Sequence, residues 1–214
     1  MRGEEGVKAE EVVRKLLQQY PQLLKELEEV ADETERYATL VAWMNKAFEE
    51  GGIGFIVVTG GFAVEIYTGR IYRTMDVDVI CSNLTTAKAL EDFLKGVGER
   101  VGRGYLPKHP LHLKSIDIVA NYYDRSVPPV KLWVRGLPLY LDPPEYLITT
   151  YLAGWKFWES SEDRDKALWL LVALRDVIDR NLLKNLARRG GVEDALKELE
   201  KLAEKVLTSD RQEH

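Results

Sequence analysis

Only one cysteine, Cys81, and only three histidines occur among the 214 residues. An internal disulfide is therefore excluded, which suits a reducing interior. Cys81 closes an apolar run with no histidine near it in sequence, so it reads as a buried thiol and not as a nucleophile. His109 and His112 stand three apart, but Pro107 and Pro110 argue against a helix there and no cysteine accompanies them, so zinc is not expected. No apolar run approaches the roughly 20 residues of a membrane span, and Met1-Arg2-Gly3-Glu4-Glu5 lacks the apolar core of a signal peptide. The expected setting is the cytoplasm, with no membrane. Also missing are the Gly-x-x-x-x-Gly-Lys-Ser/Thr loop of P-loop ATPases, any internal repeat and any low-complexity linker. Charged residues make up 30% of the chain, but the signs are interspersed and the net charge is −5. That excludes an acidic or basic tail and a general nucleic-acid coat, while leaving room for a local basic patch.

The 45% of hydrophobic residues supports a sizeable core. Val12, Val13, Leu16, Leu17 and Tyr20 recur at helical spacing up to Pro21, and Leu23, Leu24, Leu27 and Val30 resume it, which predicts one helix broken at the proline, or two. A longer helix is predicted over 33–50, with Gly51-Gly52 as its stop. Phe55-Ile56-Val57-Val58 predicts a buried strand. Gly60-Gly61 then turns into a short helix over 62–67, a second strand follows over 75–81, and Asn83-Leu84-Thr85 offers polar caps for a helix over 86–95. Further strands are predicted around 100–105 and over 113–120, and 131–141 reads as a small hairpin or two edge strands around Gly136-Leu137-Pro138. At Asp142-Pro143-Pro144-Glu145 the character changes: Asp at the N-cap, Pro at the first helical position and Glu three residues after the cap mark a helix start. Helices are predicted over 143–158, 163–177, 179–188 and 191–207. The class is α+β, a mixed sheet flanked by helices. The expected domains are N-terminal helices over 1–50 packed on the core, an α/β core over 51–141 and a C-terminal helical domain over 142–214.

Alternate side chains of a strand share a face, so Asp76 and Asp78 project together while Val77 and Val79 point away. Asp117, between Ile116 and Ile118, can face the same way from another strand. Carboxylates about 7 Å apart along a strand can bracket metal ions about 3.5–4 Å apart. Three such groups on one face repel one another without cations, and magnesium held jointly by carboxylate and triphosphate oxygens removes that cost. Gly60 and Gly61 supply a backbone that phosphate can approach at a helix N-terminus. Each motif has an ordinary explanation, a tight turn or a solvated acidic pair. Their joint order is far more specific.

In that order the chain resembles the nucleotidyltransferase superfamily related to DNA polymerase beta, over roughly residues 50–175. Gly60-Gly61 matches the family's glycine motif, Asp76-x-Asp78 its paired acids and Asp117 its third acid. Gly60-Gly61-Phe62-Ala63, the gap to Asp76, and Arg73-Thr74 before the acids are similar to the branch containing toxins of abortive-infection toxin-antitoxin systems. The resemblance implies a nucleotidyltransferase-like fold and nucleotidyl transfer from a nucleoside triphosphate, without naming the acceptor, for which an RNA or protein hydroxyl is expected. It implies Asp76, Asp78 and Asp117 as catalytic ligands of magnesium, or of manganese in its place. Thr59, Gly60, Gly61, Arg73 and Lys156 become nucleotide-binding residues, and a cognate protein becomes a partner. Lys156 and Arg164-Asp165 match basic and acidic positions of that branch, whereas its next acid falls near Leu168. An inactive nucleotide- or protein-binding relative is the alternative. Trp155, Trp158 and Trp169 read as packing between helices in preference to base stacking. Arg100, Arg103, Lys108 and Lys114 read as a solvated basic edge, with an RNA acceptor as the functional alternative.

Overall fold

The computed structural model describes residues 2–210. Its order is α1 (Arg2–Glu28), α2 (Glu33–Glu50), β1 (Ile56–Thr59), α3 (Gly60–Tyr67), β2 (Asp76–Cys81), α4 (Leu84–Val97), β3 (Gly98–Val101), β4 (Gly104–Pro107), β5 (Ser115–Ala120), β6 (Val130–Val134), β7 (Leu137–Leu141), α5 (Pro144–Trp158), α6 (Ser161–Ala173), α7 (Arg180–Arg189) and α8 (Glu193–Asp210). The fold is α+β. Its seven-stranded sheet has the order β3-β4-β5-β2-β1-β7-β6 and is mixed: β2 runs parallel to β5 and β1 parallel to β7, while the other neighbours are antiparallel.

The chain divides into two compact units. One comprises residues up to Ala63 with Arg73–Leu141, the other Val64–Tyr72 with the chain from Asp142 onward. In the first, α2 packs on β6 and β7, α1 packs on α2 and α4, and α4 covers β2, β3 and β4. Strand β1 is buried along its whole length, which accounts for its unbroken apolar sequence. In the second unit, α5 packs on α6, α7 and α8.

Several boundaries differ from expectation for definable reasons. Helix α1 runs through Pro21 without a break. The proline lies on the exposed face, where the carbonyl it frees can meet water, and buried Leu16, Tyr20, Leu23 and Leu27 hold both sides of it against the core. The single strand expected around 100–105 is a hairpin, turning at Gly102 with a positive φ of 58°. Asp142 does not cap α5. The N-cap is Pro143, without a side-chain bond, because Pro144 at the first helical position holds the residue before it in an extended conformation. Asp142 is instead buried, its carbonyl accepting from the Tyr67 hydroxyl at 3.0 Å. Glu145 Oε1 accepts from the Asp179 amide at 2.7 Å. Trp158 does not pack between helices; it is 77% exposed. Cys81 is buried, and desolvation pushes its thiol up to about 12.

Candidate active site

The register of the central strands puts the site residues in one row. Thr59 pairs with Asp78 across the antiparallel β1–β2 ladder, and Asp78 pairs with Asp117 across the parallel β2–β5 ladder. Asp76 pairs with Ser115 one step along. By strand alternation Asp76, Asp78, Ser115 and Asp117 share one sheet face, while Val77, Val79, Ile116 and Ile118 share the other. Asp76 is exposed, and Asp78 and Asp117 are half-buried.

Two glycines make room for these carboxylates. Gly60 opens α3 with φ of 61°, and a Cβ there would lie 2.2 Å from Asp78 Oδ2. The position therefore requires glycine twice over, for its left-handed backbone and for the acid lying against it. At Gly104, on β4 beside Asp117, a Cβ would come within 1.6 Å of Asp117 Oδ1. Between the outer acids stands Ser115, whose Oγ lies 2.7 Å from Asp76 Oδ1 and 3.0 Å from Asp117 Oδ1. Its single proton can go to only one of them at a time.

Beneath the face lies a buried cation. Lys114 is 1% exposed; its Nζ lies 3.0 Å from Glu33 Oε1 and donates to the Thr74 carbonyl. Glu33 Oε2 also accepts from Arg73 Nη2 at 2.7 Å. Burial raises the Glu33 carboxyl, but the Lys114 hydrogen bond and the charges of Lys114 and Arg73 outweigh it and hold the group below its usual range. Tyr37 completes the support. Its hydroxyl receives the amides of Leu113 and Lys114 at 3.1 and 2.6 Å and donates to the Leu111 carbonyl at 2.6 Å, and burial pushes it up to about 12. The segment Arg73–Thr74 leading into the acidic strand is thus tied to α2.

Thr59, Gly60, Gly61, Arg73, Asp76, Asp78 and Asp117 lie in one unit, and Lys156 lies in the other. There its Nζ bonds Asp194 at 2.6 and 2.8 Å and the Gly191 carbonyl at 2.8 Å, and the Lys156 hydrogen bond draws the Asp194 carboxyl below its usual range. Arg164 pairs with its neighbour Asp165 at 2.8 Å. Gly104, Ser115, Glu33 and Tyr37 escaped the sequence reading. A glycine inside a strand signals close approach of another group, which would have found Gly104. Lys114 alternates with buried Ile116 and not with Asp117, which would have removed it from the basic edge.

Among the described residues no three Asp, Glu, His or Cys side chains are gathered closely enough to hold one ion. The donors still suit magnesium, which keeps several waters and takes one or two protein carboxylates together with substrate phosphates. Glycine at positions 60 and 104 leaves room beside the Asp78 and Asp117 carboxylates that a side chain there would fill.

With this geometry in view, the chain is similar in structure to an antigenic nucleotidyltransferase-like protein from Paracoccidioides brasiliensis, at 17% identity and a TM-score of 0.52 over 78% of this chain and 93% of that one. The fold is nucleotidyltransferase-like. Two structures of the antibiotic-resistance factor ANT(2'')-Ia also align. The solution structure has 15% identity and a TM-score of 0.44 over 85% of this chain and 97% of that one. The crystal structure with adenylyl-2''-tobramycin has 16% identity and a TM-score of 0.47 over 72% and 98%. No family model matches the sequence, and no curated protein is significantly similar to it. In this nucleotidyltransferase-like fold, no helix among the described residues is long and apolar enough to cross a membrane.

Proposed function

We propose that the protein is a metal-dependent nucleotidyltransferase that moves a nucleoside monophosphate from a nucleoside triphosphate to a hydroxyl of RNA or protein. The observation that carries this reading is the row Thr59–Asp78–Asp117, with Gly60 left-handed and lying against the Asp78 carboxylate. The backbone amides at Gly60 and Gly61 hold the β- and γ-phosphates, helped by the α3 dipole. Asp76, Asp78 and Asp117 would hold magnesium, or manganese in its place, together with the triphosphate oxygens. Magnesium, when bound, offsets the phosphate charge and favours ionisation of the acceptor hydroxyl. In the transfer, the acceptor oxygen bonds to the α-phosphorus, the bond to the bridging oxygen breaks, pyrophosphate leaves, and the hydroxyl proton passes to solvent. A cytoplasmic setting supplies the triphosphate.

The experiment is incubation with each labelled nucleoside triphosphate, magnesium or manganese, and total cellular RNA and protein. Incorporation is expected with the native chain, and Asp76→Asn or Asp78→Asn should reduce it by about a hundredfold or more. Incorporation undiminished in these variants would remove the assignment. A second reading, a nucleotide- or protein-binding relative without turnover in a toxin-antitoxin-like pair, is favoured by one observation. Arg73 and Lys156, the two cations assigned to the nucleotide, are both held in ion pairs. Tight nucleotide binding without transfer to any acceptor would select it.

A further inference from the structure

On the sheet face opposite the carboxylates, between α4 and the β3–β4–β5 edge, lies a cleft of about 330 Å³ lined in part by Lys88, Glu91, Arg100, Arg103, Tyr105 and Asn121. Arg100 pairs with Tyr105 across the β3–β4 ladder, and Tyr105 pairs with Ile116, so this wall belongs to the face from which Asp78 and Asp117 point away. The side chains of Lys88 and Arg103 have no hydrogen-bond or ion-pair partner among the described residues, and Arg100 makes none at close range, its charge acting only on Glu91. Asn121 likewise keeps its amide free. The one lining carboxylate is already committed: Glu91 Oε1 lies 2.8 Å from Lys95 Nζ and accepts from the Tyr105 hydroxyl at 3.4 Å. Three cations therefore open onto one recess that holds a single carboxylate, shared with Lys95 and Tyr105.

We infer that this cleft binds a small organic diphosphate, at a site separate from the carboxylate face. Two guanidinium forks and an ammonium offer more donors than a single carboxylate can accept, and they match the several oxygens of linked phosphates. Leu84, 73% exposed at the rim, and Ile118 supply an apolar seat for an organic body. Nucleic acid fits less well. A phosphate backbone asks for an extended basic stripe, whereas Asp92 and Glu99 interrupt this one and Tyr105 is buried, leaving no aromatic face for stacking.

The test is calorimetric titration of the full chain with inorganic pyrophosphate in the presence of a metal chelator, with Arg100→Gln/Arg103→Gln, Lys88→Gln and Asp76→Asn for comparison. Saturable binding is expected. The arginine double variant should lose at least about tenfold in affinity, Lys88→Gln a smaller factor, and Asp76→Asn nothing. Thermal melts of the cleft variants should lie close to that of the native chain, because these side chains make no hydrogen bond or close ion pair in the fold. The inference is overturned by absence of pyrophosphate binding at millimolar concentration, by equal binding in the double variant, or by lower melts in the cleft variants. Loss of binding in Asp76→Asn, or displacement of pyrophosphate by single-stranded RNA with a steep salt dependence, overturns it equally. Failure of nucleotidyl transfer leaves these outcomes unaffected, since no acceptor or metal enters the titration.

Discussion

Gly60 is constrained by both its backbone and its neighbour. Its left-handed backbone costs a residue with a Cβ about 1–2 kcal/mol, and that Cβ would press into the Asp78 carboxylate. Gly60→Ala should lower stability by about that amount, read by urea denaturation. It should also depress transfer beyond the stability loss, because the displaced carboxylate is a proposed metal ligand. Cys81 gives a second check at this scale. A thiol pushed up to about 12 inside the sheet should resist alkylation at pH 8 in the native chain and react once the chain is unfolded.

Among the elements, the support under the acidic strand is the part most open to measurement. Lys114→Met keeps the bulk but leaves Glu33 and the Thr74 carbonyl without their buried donor, and should cost about 2–4 kcal/mol. A double-mutant cycle with Glu33→Gln should return a coupling well above that of an exposed pair. Because Glu33 is held below its usual range when folded, its contribution is present above the unfolded carboxyl value and is lost as pH falls through the folded one. Acid should therefore lower the melting temperature of the native chain more steeply than that of Glu33→Gln. Most elements were legible in the sequence: the helical periods of α1 and α2, the β-branched run of β1, and Asn83, whose side chain accepts from the Thr86 amide as the cap of α4. The misreadings arose where two local signals competed. Pro21 was read as a breaker because its exposed side of α1 is set by tertiary packing. Asp142 was read as a cap because the double proline that displaces it also resembles a helix start.

At the scale of the whole molecule, the sheet brings together residues far apart in sequence. The strand-glycine-helix-acid order was visible in the chain, but the register joining Thr59, Asp78 and Asp117 belongs to the sheet. So does the fit of Gly104 against Asp117. Lys114 shows the limit in the other direction: counted with an exposed basic edge, it is among the most buried side chains of its unit. The remaining cations Arg100 and Arg103, joined by Lys88 from α4, line a cleft on the other face. The carboxylate row is the part of the molecule on which the proposed nucleotidyl transfer depends. The most direct test of that dependence is incorporation of label from nucleoside triphosphates into cellular RNA or protein, compared between the native chain and Asp78→Asn at equal fold stability. Metal-dependent incorporation is expected, falling by about a hundredfold or more in the variant. Equal incorporation by both proteins would contradict it.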